Sequence, residues 1–161
     1  SPPPMTPSKA PAARPPRPVV NPVIDSADAL LRAAVESCRQ HERVGRLIEK
    51  QCQDEELASV AELCDMCNKH LGDRTLAYEA AAAAGKGKND DAIWHAANTL
   101  WHASREYSRR HHAGDSISAK FKSKNEEAFG ALTMEYELEA SAVLALRQTI
   151  AAYRKLRPEA E

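Results

Sequence analysis

The sequence predicts an all-α fold: an antiparallel four-helix bundle of long helices preceded by a disordered, Pro-rich tail. Three observations carry this. Nine of the ten prolines fall within the first 22 of 161 residues, and the tenth is Pro158. Proline fixes φ, removes a backbone donor and biases the preceding residue away from helix, so residues 1–22 read as a linker and 23–161 as the helical domain. Aromatics make up only 5% of the chain, and glycine is scarce beside abundant alanine, a composition that favours helix over sheet. Finally, apolar residues recur at helical spacing in four long segments.

The tail contains Lys9, Arg14 and Arg17 and no acid, which suits a solvated polyproline-II spacer. Its Arg-Pro-Pro-Arg-Pro run also has the composition of an SH3 or WW ligand. The first helix is expected over 26–51, capped by Asp25 or Ser26 with Ile24 as a hydrophobic staple. Its stripe reads Leu31, Ala34, Cys38, Ile48 and Cys52, and Gly45 weakens it without ending it. The second helix is expected over 55–84, where Leu57, Cys64, Leu71 and Tyr78 recur every seven residues. A break at Gly72, with Thr75 capping a new segment, is the alternative.

Residues 84–90 read as a turn. Asn89 or Asp90 is then expected to cap a third helix ending near His111, with a stripe of Ile93, Ala97, Leu100, Ser104, Tyr107 and His111. The polar, basic stretch 112–125 reads as the longest internal loop. A fourth helix is expected over 126–156, with Phe129, Tyr136, Val143 and Ile150 on one edge and Leu132, Leu146 and Tyr153 on the next; Pro158 ends it.

About 135 residues suffice for one core without staples. Four cysteines, Cys38, Cys52, Cys64 and Cys67, occur with no secretory segment, so reduced thiols and an intracellular setting, cytoplasm or nucleus, are expected. The low-complexity start suggests a fragment of a longer protein. No apolar run is long enough for a transmembrane segment. The net charge of −1 argues against a dedicated nucleic-acid binder while leaving room for a local patch.

Three motifs carry candidate chemistry. Cys64, Cys67 and His70 have CxxCxxH spacing, which offers three zinc ligands, with Cys38, Cys52 or His41 as a fourth. The helical phase of Cys64 with Leu57 and Leu71 favours a core role for it instead. Trp94-His95-Ala96 and Trp101-His102-Ala103 repeat at seven residues, which places both tryptophans on one helix face. Either they pack at a helix interface, or they form an aromatic ridge for a partner. The segment from Arg105 through Arg109, Arg110, Lys120 and Lys122 to Lys124 is basic, with Glu106 and Asp115 its only acids. It reads as a solvated surface or as a site for an acidic partner.

No phosphate loop, di-iron Glu-x-x-His motif or catalytic triad spacing occurs. The expectation is therefore a non-enzymatic helical interaction domain, scaffold or regulatory, needing no cofactor. It would bind an acidic or amphipathic peptide or helix of another protein through Trp94, Trp101 and the basic segment. A zinc-stapled bundle and a basic-patch binder of nucleic acid or anionic lipid are the alternatives.

Overall fold

The computed structural model describes residues 2–4, 21–50, 55–85, 91–121 and 126–161, with the side chains of 116–121, 126–130, 132 and 133 excepted. The tail expectation therefore falls mostly outside the described residues. The described chain forms α1 (Pro22–Glu49), α2 (Glu55–Ala84), α3 (Ala92–Phe121) and α4 (Glu126–Leu156), closed by a single 3-10 turn over Pro158–Ala160. This is the predicted antiparallel four-helix bundle.

α1 starts earlier than expected. Asn21, rather than Asp25 or Ser26, is the cap: its Oδ1 accepts from the backbone N–H of Val23 at 3.1 Å and of Ile24 at 3.3 Å. Pro22 occupies the first helical position, where its missing N–H would have no partner in any case. A proline that reads as the end of the linker is thus the first residue of the helix. Leu31, Ala34 and Cys38 are buried as the stripe predicts, and Ala27 and Leu30 are buried beside them, but Ile48 is exposed. Cys52 lies outside the described residues.

α2 runs unbroken through Gly72, and Thr75 Oγ1 donates back to the Gly72 carbonyl at 2.7 Å instead of capping a new helix. Cys64, Leu71 and Tyr78 are buried in the predicted seven-residue phase. At the C-terminal end of α2 the bundle needs a glycine, because a Cβ on Gly85 would lie 2.9 Å from Val23 Cγ2 and 3.2 Å from the Ala81 carbonyl oxygen.

Asp91 caps α3, its Oδ1 accepting from the Ile93 N–H at 3.1 Å; Asn89 and Asp90 lie outside the described residues. The expected loop over 112–125 is corrected as far as Phe121, since α3 continues to that residue. The physical reason is the stripe itself. Ser104, Tyr107, His111 and Gly114 are all buried at alternating spacings of three and four, and no proline interrupts them. α4 buries Glu139, Ala142, Val143, Leu146, Ile150 and Tyr153, whereas Tyr136, expected on the core edge, is exposed.

α1 packs chiefly on α2, and α3 on α4, giving two helical hairpins that meet less extensively across a seam. α1 also touches α3 on the diagonal, so α2 and α4 stand at opposite corners. Small side chains on α1 (Ala27, Ala33, Ala34, Ser37) allow this close approach. At one end of the bundle Asp28, on α1, accepts from Tyr153 at 2.6 Å and from Arg157 at 2.7 Å, and Arg32 donates to the Ala160 carbonyl at 2.8 Å.

Candidate functional site

The residues singled out on α3 divide between two environments. Trp94 and Trp101 are half-buried and pack against the core. Trp94 helps line a cleft of about 280 Å³ with Pro22, Val23, Ala81, Ala84 and Gly85. Trp101 lies near Tyr78 of α2, ring centroids 6.5 Å apart, and the Arg105 guanidinium stands 5.6 Å from its ring centroid. Trp101 Nε1 is buried with no hydrogen-bond partner among the described residues.

The arginines beyond are engaged within the chain. Arg109 pairs with Glu106 at 2.5 Å, while Arg110 reaches Glu106 at 2.9 Å and Glu135 at 3.2 Å. Burial raises the Glu106 pKa, but the hydrogen bonds from Arg110 and Arg109 outweigh it and leave the carboxyl below its usual range. The basic segment thus offers less free charge than its sequence suggests. Lys120 belongs to the last turn of α3; its side chain, and Lys122 and Lys124 entirely, lie outside the described residues.

Cys64, Cys67 and His70 do not converge. Cys64 is buried, and burial first, then the charges of Asp65 and Glu139, push its thiol up to about 12. Cys67 is half-buried, and its carbonyl accepts from Ser37 Oγ at 3.2 Å. His70 is exposed in a separate groove beside Arg32 and Arg74.

A cleft that the motifs do not announce lies toward the end of the bundle where α1 finishes. It encloses about 390 Å³ and is lined by residues of all four helices. His41, Val44, Gly45 and Ile48 come from α1; Ala61, Cys64 and Asp65 from α2; His111, Gly114 and Asp115 from α3; Tyr136 and Glu139 from α4. Its walls are largely apolar and its floor is a polar cluster. His111 holds that floor together. Its Nδ1 is 2.9 Å from Glu139 Oε1, and its Nε2 is 2.8 Å from Asp65 Oδ1 and 3.6 Å from Asp115 Oδ2. His41 Nδ1 lies 3.4 Å from both Glu139 Oε1 and the Tyr107 hydroxyl.

These contacts set the protonation states. Burial lowers the His111 pKa, but the hydrogen bonds to Glu139 and Asp65 more than reverse this and raise it to about 9. Burial likewise raises Glu139, and the hydrogen bonds to His111 and His41 bring it down to about 2. Asp115 is raised, first by burial, with the neighbouring Asp65 carboxyl adding to it and His111 opposing. An ionised Glu139 only accepts hydrogen bonds, so the Nδ1 of His111 carries a proton and its Nε2 points at the two aspartates.

Of this cluster, the sequence points to His111 as a stripe residue, His41 as an optional zinc ligand, Asp115 as an acid of the basic segment and Glu139 as an acid of the solvated face of the fourth helix, but does not bring them together. The signal available is the spacing of His111 and Asp115, i and i+4 on one helix, hidden once the helix is ended at His111. Among the described residues, Asp65, His111 and Asp115 are the group whose ligand atoms stand close enough together to hold a metal ion. No described helix is long and apolar enough to cross a membrane. No family model matches the sequence, and neither does any curated protein or solved structure.

Proposed function

We propose that this bundle is a non-enzymatic protein–protein interaction domain, a scaffold or regulatory module that receives an amphipathic helix or peptide of a partner on the outer face of α4. One observation carries the reading. Directly opposite the buried stripe of α4, Met134 is 63% exposed and Leu144 60% exposed, with Leu138 beside them. Between these anchors the outward positions Glu137, Ala140, Ser141 and Ala145 bring a single charge. A helix face turned to water is normally dominated by charged residues, and an apolar one is the usual seat of a partner helix.

This surface is favoured over the tryptophan face of α3 because Trp94 and Trp101 are half-covered by their neighbours and Arg109 and Arg110 already pair with Glu106 and Glu135. The Trp101–Arg105 pair remains a secondary contact point on an adjacent side of the bundle.

The test is affinity capture with the full chain beside a Met134→Arg/Leu144→Arg variant. Both changes lie on the solvated side, so the fold is retained and stability shifts by no more than about 0.5 kcal/mol. Partners held by this face are expected to lose at least about 2 kcal/mol, roughly thirtyfold in affinity. Partners recovered equally by both proteins would refute the assignment to α4, and Trp101→Ala then tests the α3 face.

A further inference from the structure

We propose that Asp65, His111 and Asp115 form a binding site for a divalent transition-metal ion, zinc fitting best, and that the bound ion clips the α1–α2 hairpin to the α3–α4 hairpin at the cleft. The interaction surface on α4 plays no part in this argument.

The donor set is the first support. One imidazole nitrogen and two carboxylate oxygens are ligands that zinc accepts, and three protein ligands with an open position are a common zinc arrangement. The three donor atoms lie within 4.8 Å of one another. With ligands about 2.0–2.2 Å from the ion, the edge of a zinc tetrahedron is about 3.4 Å. Nε2 of His111 is 2.8 Å from one carboxylate oxygen and 3.6 Å from the other, so these two edges reach the zinc value with shifts of about half an ångström.

The second support is the rest of the imidazole. A metal-bound histidine almost always hands its other N–H to a carboxylate or carbonyl, which fixes the ring and its tautomer. Glu139 accepts the Nδ1–H of His111 from a third helix at 2.9 Å, and it is itself buried. His111 and Asp115 share one face of α3 at i and i+4, the spacing at which one helix supplies two ligands to one ion. The ion takes the place of the proton on Nε2, and that proton leaves to solvent. The open coordination position faces the cleft, where Val44, Ile48, Ala61 and Tyr136 leave room for water or a small donor.

The third support is where the ligands come from. Asp65 belongs to the first hairpin and His111 and Asp115 to the second, and the seam between hairpins is less extensively packed than the hairpins themselves. An ion bound there crosses the seam. The CxxCxxH set does not assemble, because His70 faces another groove, and Cys64, although it lines this cleft, is not among the three grouped ligand atoms.

The experiment is calorimetric titration of the full, chelator-treated chain with Zn²⁺, and separately with Mg²⁺, paired with thermal unfolding. The side chains of Asp65 and Asp115 are 55% and 53% exposed, so Asp65→Asn and Asp115→Asn retain the fold, which circular dichroism checks. We expect one zinc per chain, a higher unfolding midpoint with zinc, and no comparable effect of magnesium. Each variant should bind zinc at least about tenfold more weakly, whereas Cys67→Ser/His70→Ala should bind it as the parent does. Absence of saturable zinc binding would overturn the proposal. So would zinc binding that both asparagine variants leave unchanged, or equal competition by magnesium. Co²⁺ substitution adds an independent readout: ligand-field bands without a thiolate charge-transfer band are expected, and a thiolate band would transfer the site to the cysteines.

Discussion

The hydroxyl of Tyr153 donates to the carboxylate of Asp28 at 2.6 Å across 125 residues of sequence, and both groups are buried. Arg157 completes the arrangement by pairing with the other Asp28 oxygen at 2.7 Å. This small network joins the start of the first helix to the end of the last.

Removing either partner is unequal in effect. Tyr153→Phe deletes one hydrogen bond and leaves Asp28 paired with Arg157, so a loss of about 1–2 kcal/mol is expected. Asp28→Ala leaves the buried Tyr153 hydroxyl without its acceptor and removes one of the two carboxylates that Arg157 pairs with, Glu159 at 2.6 Å remaining, so a loss of about 2–3 kcal/mol is expected. Urea unfolding of both variants measures the difference. Equal losses would mean that Arg157 does not depend on Asp28.

Asn21 holds the first turn of α1 through two backbone N–H groups. Asn21→Ala should lower stability by about 1 kcal/mol, and Asn21→Asp should restore it. A thermal midpoint unchanged by the alanine would show that α1 begins later than Pro22 in solution. Truncation through Pro22, which removes the cap, should lower stability at least as much as Asn21→Ala does.

The His111–Glu139 pair gives the metal-free protein a bounded pH range of maximum stability. His111 is raised from 6.5 to about 9, so its contribution is complete below pH 6.5 and is lost as pH rises through 9. Glu139 is lowered from 4.5 to about 2, so its contribution is complete above pH 4.5 and is lost as pH falls through 2. Stability measured in chelator should therefore plateau between about pH 4.5 and 6.5 and decline on both sides, by on the order of 2 kcal/mol at the extremes. In His111→Gln the decline on the alkaline side should disappear. An alkaline limb retained in that variant would assign it to other groups.

Burial pushes the Cys64 thiol up to about 12 and the Cys38 thiol up to about 11, while Cys67 is more open to solvent. Timed labelling at pH 8 followed by peptide mapping should find Cys67 modified at least about tenfold faster than either. Rapid labelling of Cys64 would show that the cleft opens around it. Because Cys64 fills core space, Cys64→Ala should also lower stability by about 1–2 kcal/mol.

The parts of the fold legible in the sequence are those where local pattern and burial coincide. Cys64, Leu71 and Tyr78 on α2 and Val143, Ile150 and Tyr153 on α4 are spaced for a helix and lie in the core. Ile48 and Tyr136 share that spacing but line the cleft and are exposed, with no other described element covering them. The stretch after His111 reads as a loop because its composition is polar and basic, yet its buried positions continue through Gly114. What stabilises it is the contact of His111 with Glu139 and Asp65, 28 and 46 residues away. The cleft itself was illegible for the same reason: its polar floor combines one or two residues from each helix, and no local motif records such an assembly.

The network around Asp28 also decides which described ends lie together. Because it brings the beginning of α1 beside the final turn of the chain, Asn21 and Glu161 stand at the same pole. The cleft begins near His41, about 20 Å beyond Asp28 along α1 at 1.5 Å per residue. The polar assemblies around Asp28 and around His111 therefore occupy opposite ends of one bundle. Substitutions at the two ends should add independently in their effect on stability.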